Sequence, residues 1–76
     1  MRRLGKVLQV TNRGSIIVQT DKSPPIGAKV VDKQAQPIGI IQDVFGPVNN
    51  PYVSIRSKNR EKALKLINQI VYLYKR

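Results

Sequence analysis

Cysteine, histidine and tryptophan are all missing from this 76-residue chain. Without cysteine there are no disulfides, thiolate metal sites or thiol nucleophiles. Without histidine the chain lacks the usual metal ligand and the usual general base near neutral pH. Acids are nearly as scarce: Asp21, Asp32, Asp43 and Glu61 are all there are. No two are close in sequence, and none sits in a phosphate- or metal-binding motif. The chain is therefore expected not to be an enzyme and to carry no cofactor or metal. No apolar run approaches the roughly 18 residues that span a bilayer. Met1-Arg2-Arg3 leads into the alternating Leu4-Gly5-Lys6-Val7, not into an apolar signal core, so a cytoplasmic, membrane-free protein is expected.

Basic residues are abundant. Fourteen Lys and Arg give a formal net charge of +10, a surface that polyanions attract through counterion release without base-specific contacts. The length suits one small domain, residues 1–76, which hides only about 60% of the surface of its unfolded chain.

Branched residues alternating with polar ones predict strands over 4–10 and 14–20, joined by the Thr11-Asn12-Arg13-Gly14 turn. Ser23-Pro24-Pro25-Ile26-Gly27 interrupts pairing, because proline lacks an N–H and fixes φ. Further strands are predicted over 29–32, 38–45, 52–56 and 70–74. In the fourth, Ile38, Ile40 and Val44 alternate with Gly39, Ile41, Asp43 and Phe45. A strand apolar on both faces needs cover on both. Gly39 within it marks a bend or a close backbone approach, as at a barrel corner. Ser57 is the expected cap of a short helix with Ala63, Leu66 and Ile67 on one face, which Asn68 ends in a left-handed conformation. No internal repeat is evident. The expected fold is all-β, a small six-stranded split barrel with a short helix before the last strand.

Two constellations stand out. In Phe45-Gly46-Pro47-Val48-Asn49-Asn50-Pro51-Tyr52 the prolines stiffen the loop, so docking costs little entropy. Its residues allow two readings: a hairpin with Phe45 in the core, or an apolar ridge of the kind that anchors a protein interface. The second constellation is basic: Arg56, Lys58, Arg60, Lys62, Lys65, Lys75 and Arg76 late in the chain, and Arg2, Arg3, Lys6 and Arg13 early. These are either phosphate-facing patches or solvated faces. Tyr52, Tyr72 and Tyr74 fall in no RNA-stacking motif, which argues against direct base readout.

The run Gly39-Ile40-Ile41-Gln42-Asp43-Val44-Phe45-Gly46-Pro47-Val48, followed by Pro51-Tyr52-Val53-Ser54-Ile55, resembles the signature of the Gar family, subunits of H/ACA ribonucleoprotein particles. Leu4-Gly5-Lys6-Val7, 27–32 and Val71-Tyr72-Leu73-Tyr74 extend the resemblance over nearly the whole chain. It implies a non-catalytic, archaeal-type minimal subunit, monomeric within its complex, that docks on the catalytic subunit of the guide-RNA-directed pseudouridine synthase. It also implies a role in substrate RNA loading and turnover during rRNA pseudouridylation and ribosome biogenesis, with contact to guide RNA indirect or through charge. On that basis Phe45, Gly46, Pro47, Val48 and Tyr52 are candidate partner-binding residues, with Ile41 and Pro51 added from geometry. Arg56, Lys58, Arg60 and Lys62 are the RNA-proximal candidates. The alternatives are a free-standing basic RNA-binding barrel and a ribosome-maturation domain of the PRC-barrel type, to which 30–32 and 39–44 are similar. A related assembly factor of the same particle shares the Phe-Gly-Pro barrel, and the short chain favours the subunit.

Overall fold

A computed structural model describes residues 2–57 and 59–74. Six strands and one short helix follow one another as β1 (Arg2–Val10), β2 (Ser15–Gln19), β3 (Lys29–Val31), β4 (Pro37–Phe45), β5 (Tyr52–Ser57), α1 (Arg60–Leu64) and β6 (Ile70–Leu73). All pairs are antiparallel, and the ladder closes in the order β1-β2-β5-β4-β3-β6. Closure leaves no free strand edge. Inside lie Leu4, Val7, Ile16, Val18, Val30, Ile41, Val53, Ile55, Ala63 and Val71, each at most 2% exposed.

Closure depends on the two nine-residue strands each serving two neighbours. β1 pairs with β6 as far as Lys6, the residue from which it also pairs with β2. β4 pairs with β3 and β5 in the same manner around Gly39 and Ile40. At each changeover another backbone comes against the strand: a methyl group on Gly5 would overlap the Gln19 carbonyl, and one on Gly39 the Arg56 carbonyl. Gly39 thus has the role of a corner residue where another backbone approaches closely.

The registers show an internal two-fold that the sequence hides. Gly5, Val7 and Val10 of β1 hold the positions of Gly39, Ile41 and Val44 of β4, and the pairing slips at Leu8 as it does at Gln42. Val7 donates its N–H to the Gln69 carbonyl and accepts from Asn68; Ile41 donates to Ala28 and accepts from Gly27. Asn68 and Gly27, the two matching donors, are both left-handed, with φ of 71° and 88°. Ile17 pairs with Ser54 and Val31 with Tyr72, each with its own counterpart, as residues on the axis must. The segment leading to Gln69 is longer than the one leading to Ala28, and α1 occupies the extra length.

Two local expectations change. Asn59, not Ser57, caps α1: its Oδ1 accepts from the Lys62 N–H at 3.1 Å, while the Ser57 Oγ bonds the Asn59 backbone. The helix ends at Leu64, so Leu66 and Ile67 reach the core from the following turn. In β4 the irregularity at Gln42 resets the alternation. A bulge puts two residues opposite one, so Val44 joins Ile41 on the inside and Asp43 and Phe45 fall outside with Ile40. The outer face is left uncovered, with Ile40 and Phe45 each 46% exposed.

The corner glycines set a clear test. Gly39→Ala and Gly5→Ala are each expected to cost about 3 kcal/mol or more, since the added carbon meets backbone that cannot yield. Gly27→Ala has open space around it and should lose only about 1 kcal/mol, from its positive φ. Thermal unfolding of the three variants measures the difference, and equal losses would refute the corner role.

Candidate functional site

The β4–β5 hairpin closes on a cross-strand pair, Phe45 opposite Tyr52. Their rings stack with centroids 5.8 Å apart and planes inclined by 29°, an offset contact of the favourable kind. Gly46 makes the pair possible: its φ is +92°, and a Cβ there would stand 2.8 Å from Tyr52 Cδ2. The chain then turns through Pro47, Val48, Asn49 and Asn50, all exposed, and Val48 is 93% exposed. Pro51 re-enters the fold buried, its carbonyl accepting from the Thr20 N–H at 3.0 Å. A rigid turn thus carries Phe45, Pro47 and Val48 on its outside, with Tyr52 half-buried behind Phe45.

The two readings of Phe45 are thereby resolved in favour of the surface. Ile41 and Pro51, proposed beside it as partner-binding, are buried, Ile41 at 1% exposure in the centre of the barrel. Their burial leaves no side-chain surface for a partner. The bulge at Gln42 separates Ile41 from Phe45.

A groove of about 770 Å³ runs over the outer face from this turn to the β1–β2 turn. Phe45, Asp43 and Gln42 line one side and Thr11, Asn12 and Arg13 the other, across a floor that includes Ile17 and Ser54. Sequence reading missed these floor residues, although their outward positions in alternating strands were a signal for them. The Asp43 carboxylate accepts from the Val44 N–H at 2.9 Å.

The basic candidates divide in an order the sequence does not follow. Ser15, two residues after Arg13, pairs with Arg56, and a Cβ placed on Gly14 would lie 3.9 Å from the Arg60 Cβ. Arg13, Arg56 and Arg60, all exposed, therefore gather at one corner, and Arg13 parts from Arg2, Arg3 and Lys6, which lie along β1. Lys62 is exposed on α1. Lys58, Lys75 and Arg76 lie outside the described residues. Among the described residues no group of His, Cys, Asp and Glu could hold a metal, and no helix is long and apolar enough to cross a membrane.

The architecture is that of a Gar1-type barrel. It superposes on the structure of the Gar1 domain of Naf1 with a TM-score of 0.84, covering 97% of this chain and 81% of that one, at 16% identity. The chain belongs to the Gar1/Naf1 family, whose RNA binding region matches residues 1–76, and the PRC-barrel alternative is set aside. An uncharacterized protein of Methanothermobacter thermautotrophicus is 37% identical over 76 residues, 96% of this chain and 83% of that protein. Another, from Methanocaldococcus jannaschii, is 34% identical over 56 residues, 74% of this chain and 68% of that protein. The family is one of accessory domains of ribonucleoproteins.

Gly46→Ala should destabilise the domain by about 1–3 kcal/mol, through left-handed strain and displacement of the Tyr52 ring. A fall in melting temperature larger than that of Gly27→Ala is the expected reading, and an unchanged melt would show that the turn is not held as described.

Proposed function

We propose that this protein is a non-catalytic subunit of an H/ACA-type ribonucleoprotein and docks on the catalytic subunit of its pseudouridine synthase through the Phe45–Tyr52 turn. The observation that carries this reading is the turn itself. A stacked aromatic pair and a 93% exposed valine are held on a preformed hairpin, in a domain small enough that its core has no need to leave them outside. Preorganisation lowers the cost of binding, and aromatic anchors at the centre of an interface carry most of its energy. Phe45 supplies the anchor, Pro47 and Val48 the flanking apolar contact, Gly46 the geometry, and Tyr52 the support behind the ring.

In this role the barrel performs no chemistry. It adds a rigid wall to the synthase, and its effect on substrate RNA loading and release follows from where that wall stands. Membership in the Gar1/Naf1 family supports association with a ribonucleoprotein, and the +10 charge fits such company.

Calorimetric titration into the isolated synthase subunit, without RNA and at about 0.5 M salt, separates apolar docking from screened charge attraction. Binding with a negative heat-capacity change is expected. Phe45→Ala should weaken it by about 2 kcal/mol or more while the domain keeps its melting temperature, because Phe45 lies outside the core. Unchanged affinity of Phe45→Ala, or no binding by the parent protein, would refute docking through this turn.

A further inference from the structure

The two ends of the central β2–β5 pair carry opposite chemistry. At one end Gln19 pairs with Tyr52, beside the apolar turn; at the other Ser15 pairs with Arg56. Three pairs lie between them, and the four residue steps set the ends about 13 Å apart along the strands. At the second end three guanidinium groups come from three separate parts of the chain: Arg13 from the β1–β2 turn, Arg56 from β5 and Arg60 from the first turn of α1. Nothing in the core requires them there, since all three side chains are exposed.

We propose that the corner formed by Arg13, Arg56 and Arg60 is a phosphodiester-binding site, which holds an RNA backbone against the groove that leads to the docking turn. Guanidinium groups suit phosphate because their fixed forks donate two parallel hydrogen bonds. Asn12 and Thr11 add polar groups at the rim of the same groove. Asp43, the acid that lines it, lies on the opposite side with its carboxylate engaged by the Val44 N–H. The lining of the groove near the corner carries no aromatic ring for a base to stack on, Phe45 being on the far wall. The contact is therefore to the backbone and independent of sequence, and its strength follows salt. The site extends the ribonucleoprotein reading of the previous subsection, because it places the RNA at the end of the β2–β5 pair opposite the docking turn.

The test uses the full chain and a fluorescently labelled poly(U) strand, with affinity measured by anisotropy over a salt series. The triple variant Arg13→Gln, Arg56→Gln, Arg60→Gln removes three cations from the corner; Arg2→Gln, Arg3→Gln, Lys6→Gln removes three from β1. At about 0.7 counterions per single-strand contact, the corner variant should flatten the slope of log affinity against log salt by about 2, and the β1 variant by less than about 1. Its affinity at low salt should fall roughly tenfold or more. Should the strand substitution disturb folding, Arg13→Gln with Arg60→Gln, in turn and helix alone, should still flatten the slope by more than about 1.

Equal slopes for the two triple variants would mean diffuse attraction by net charge and overturn the site. Displacement of the RNA by poly(glutamate) as readily as by unlabelled poly(U) would assign the corner to an acidic protein and overturn it as well. Titration of the corner variant into the synthase subunit at about 0.5 M salt keeps the two readings apart. Retained docking with lost RNA binding supports the site, whereas docking left unchanged by Phe45→Ala, with the salt slope still flattened in the corner variant, removes only the docking reading.

Discussion

Two backbone-to-backbone contacts, Gly5 against the Gln19 carbonyl and Gly39 against the Arg56 carbonyl, hold the rest of the structure in register. A strand that serves two neighbours in succession must bend sharply, and at the bend a side chain has nowhere to go. Removing the Cβ lets β1 and β4 turn the corners, and six short strands then close into a barrel around aliphatic side chains. For a chain of 76 residues this economy matters: with so little interior to fill, an unsatisfied sheet edge would cost a large share of the net stability.

From the same corners comes the placement of the exposed apolar turn. Each bend is followed by a slip in pairing, at Leu8 in β1 and at Gln42 in β4. The second slip turns Phe45 outward after Ile41 has turned inward. The left-handed Gly46 then folds the chain back so that Tyr52 supports the exposed ring. An apolar turn and a cationic corner can share so small a body because the β2–β5 pair holds them apart.

Much of this was legible in the sequence. Alternation of branched and polar residues located all six strands to within two residues, Gly39 announced its corner, and Asn68 its left-handed turn. The Phe-Gly-Pro run marked an exposed apolar turn. What escaped reading depended on partners. A bulge exists only relative to the strand opposite, so period-2 alternation carried through Gln42 put Ile41 and Phe45 on one face. The cap of α1 fell to Asn59 because its Oδ1 reaches the Lys62 N–H, while Ser57 was still committed to β5. The joining of Arg13 to Arg56 and Arg60 needs the closed barrel, because forty or so residues of chain separate the turn from the later strands. The repeat was hidden for a related reason. Leu4-Gly5-Lys6-Val7-Leu8-Gln9-Val10 and Ile38-Gly39-Ile40-Ile41-Gln42-Asp43-Val44 share their pattern of aliphatic, glycine and valine positions, but α1 lengthens the second half, so no single offset aligns the two throughout.

The internal two-fold gives each hairpin turn a twin. In one half the turn reads Thr11-Asn12-Arg13-Gly14, short and polar; in the other it is the longer apolar run from Gly46 to Pro51. Two copies of a single half, folded together, would carry the same turn at both ends and could grip only one kind of surface twice. Joining the halves in one chain frees each turn to diverge without disturbing the shared core, and a symmetric body thereby comes to carry two unlike ends.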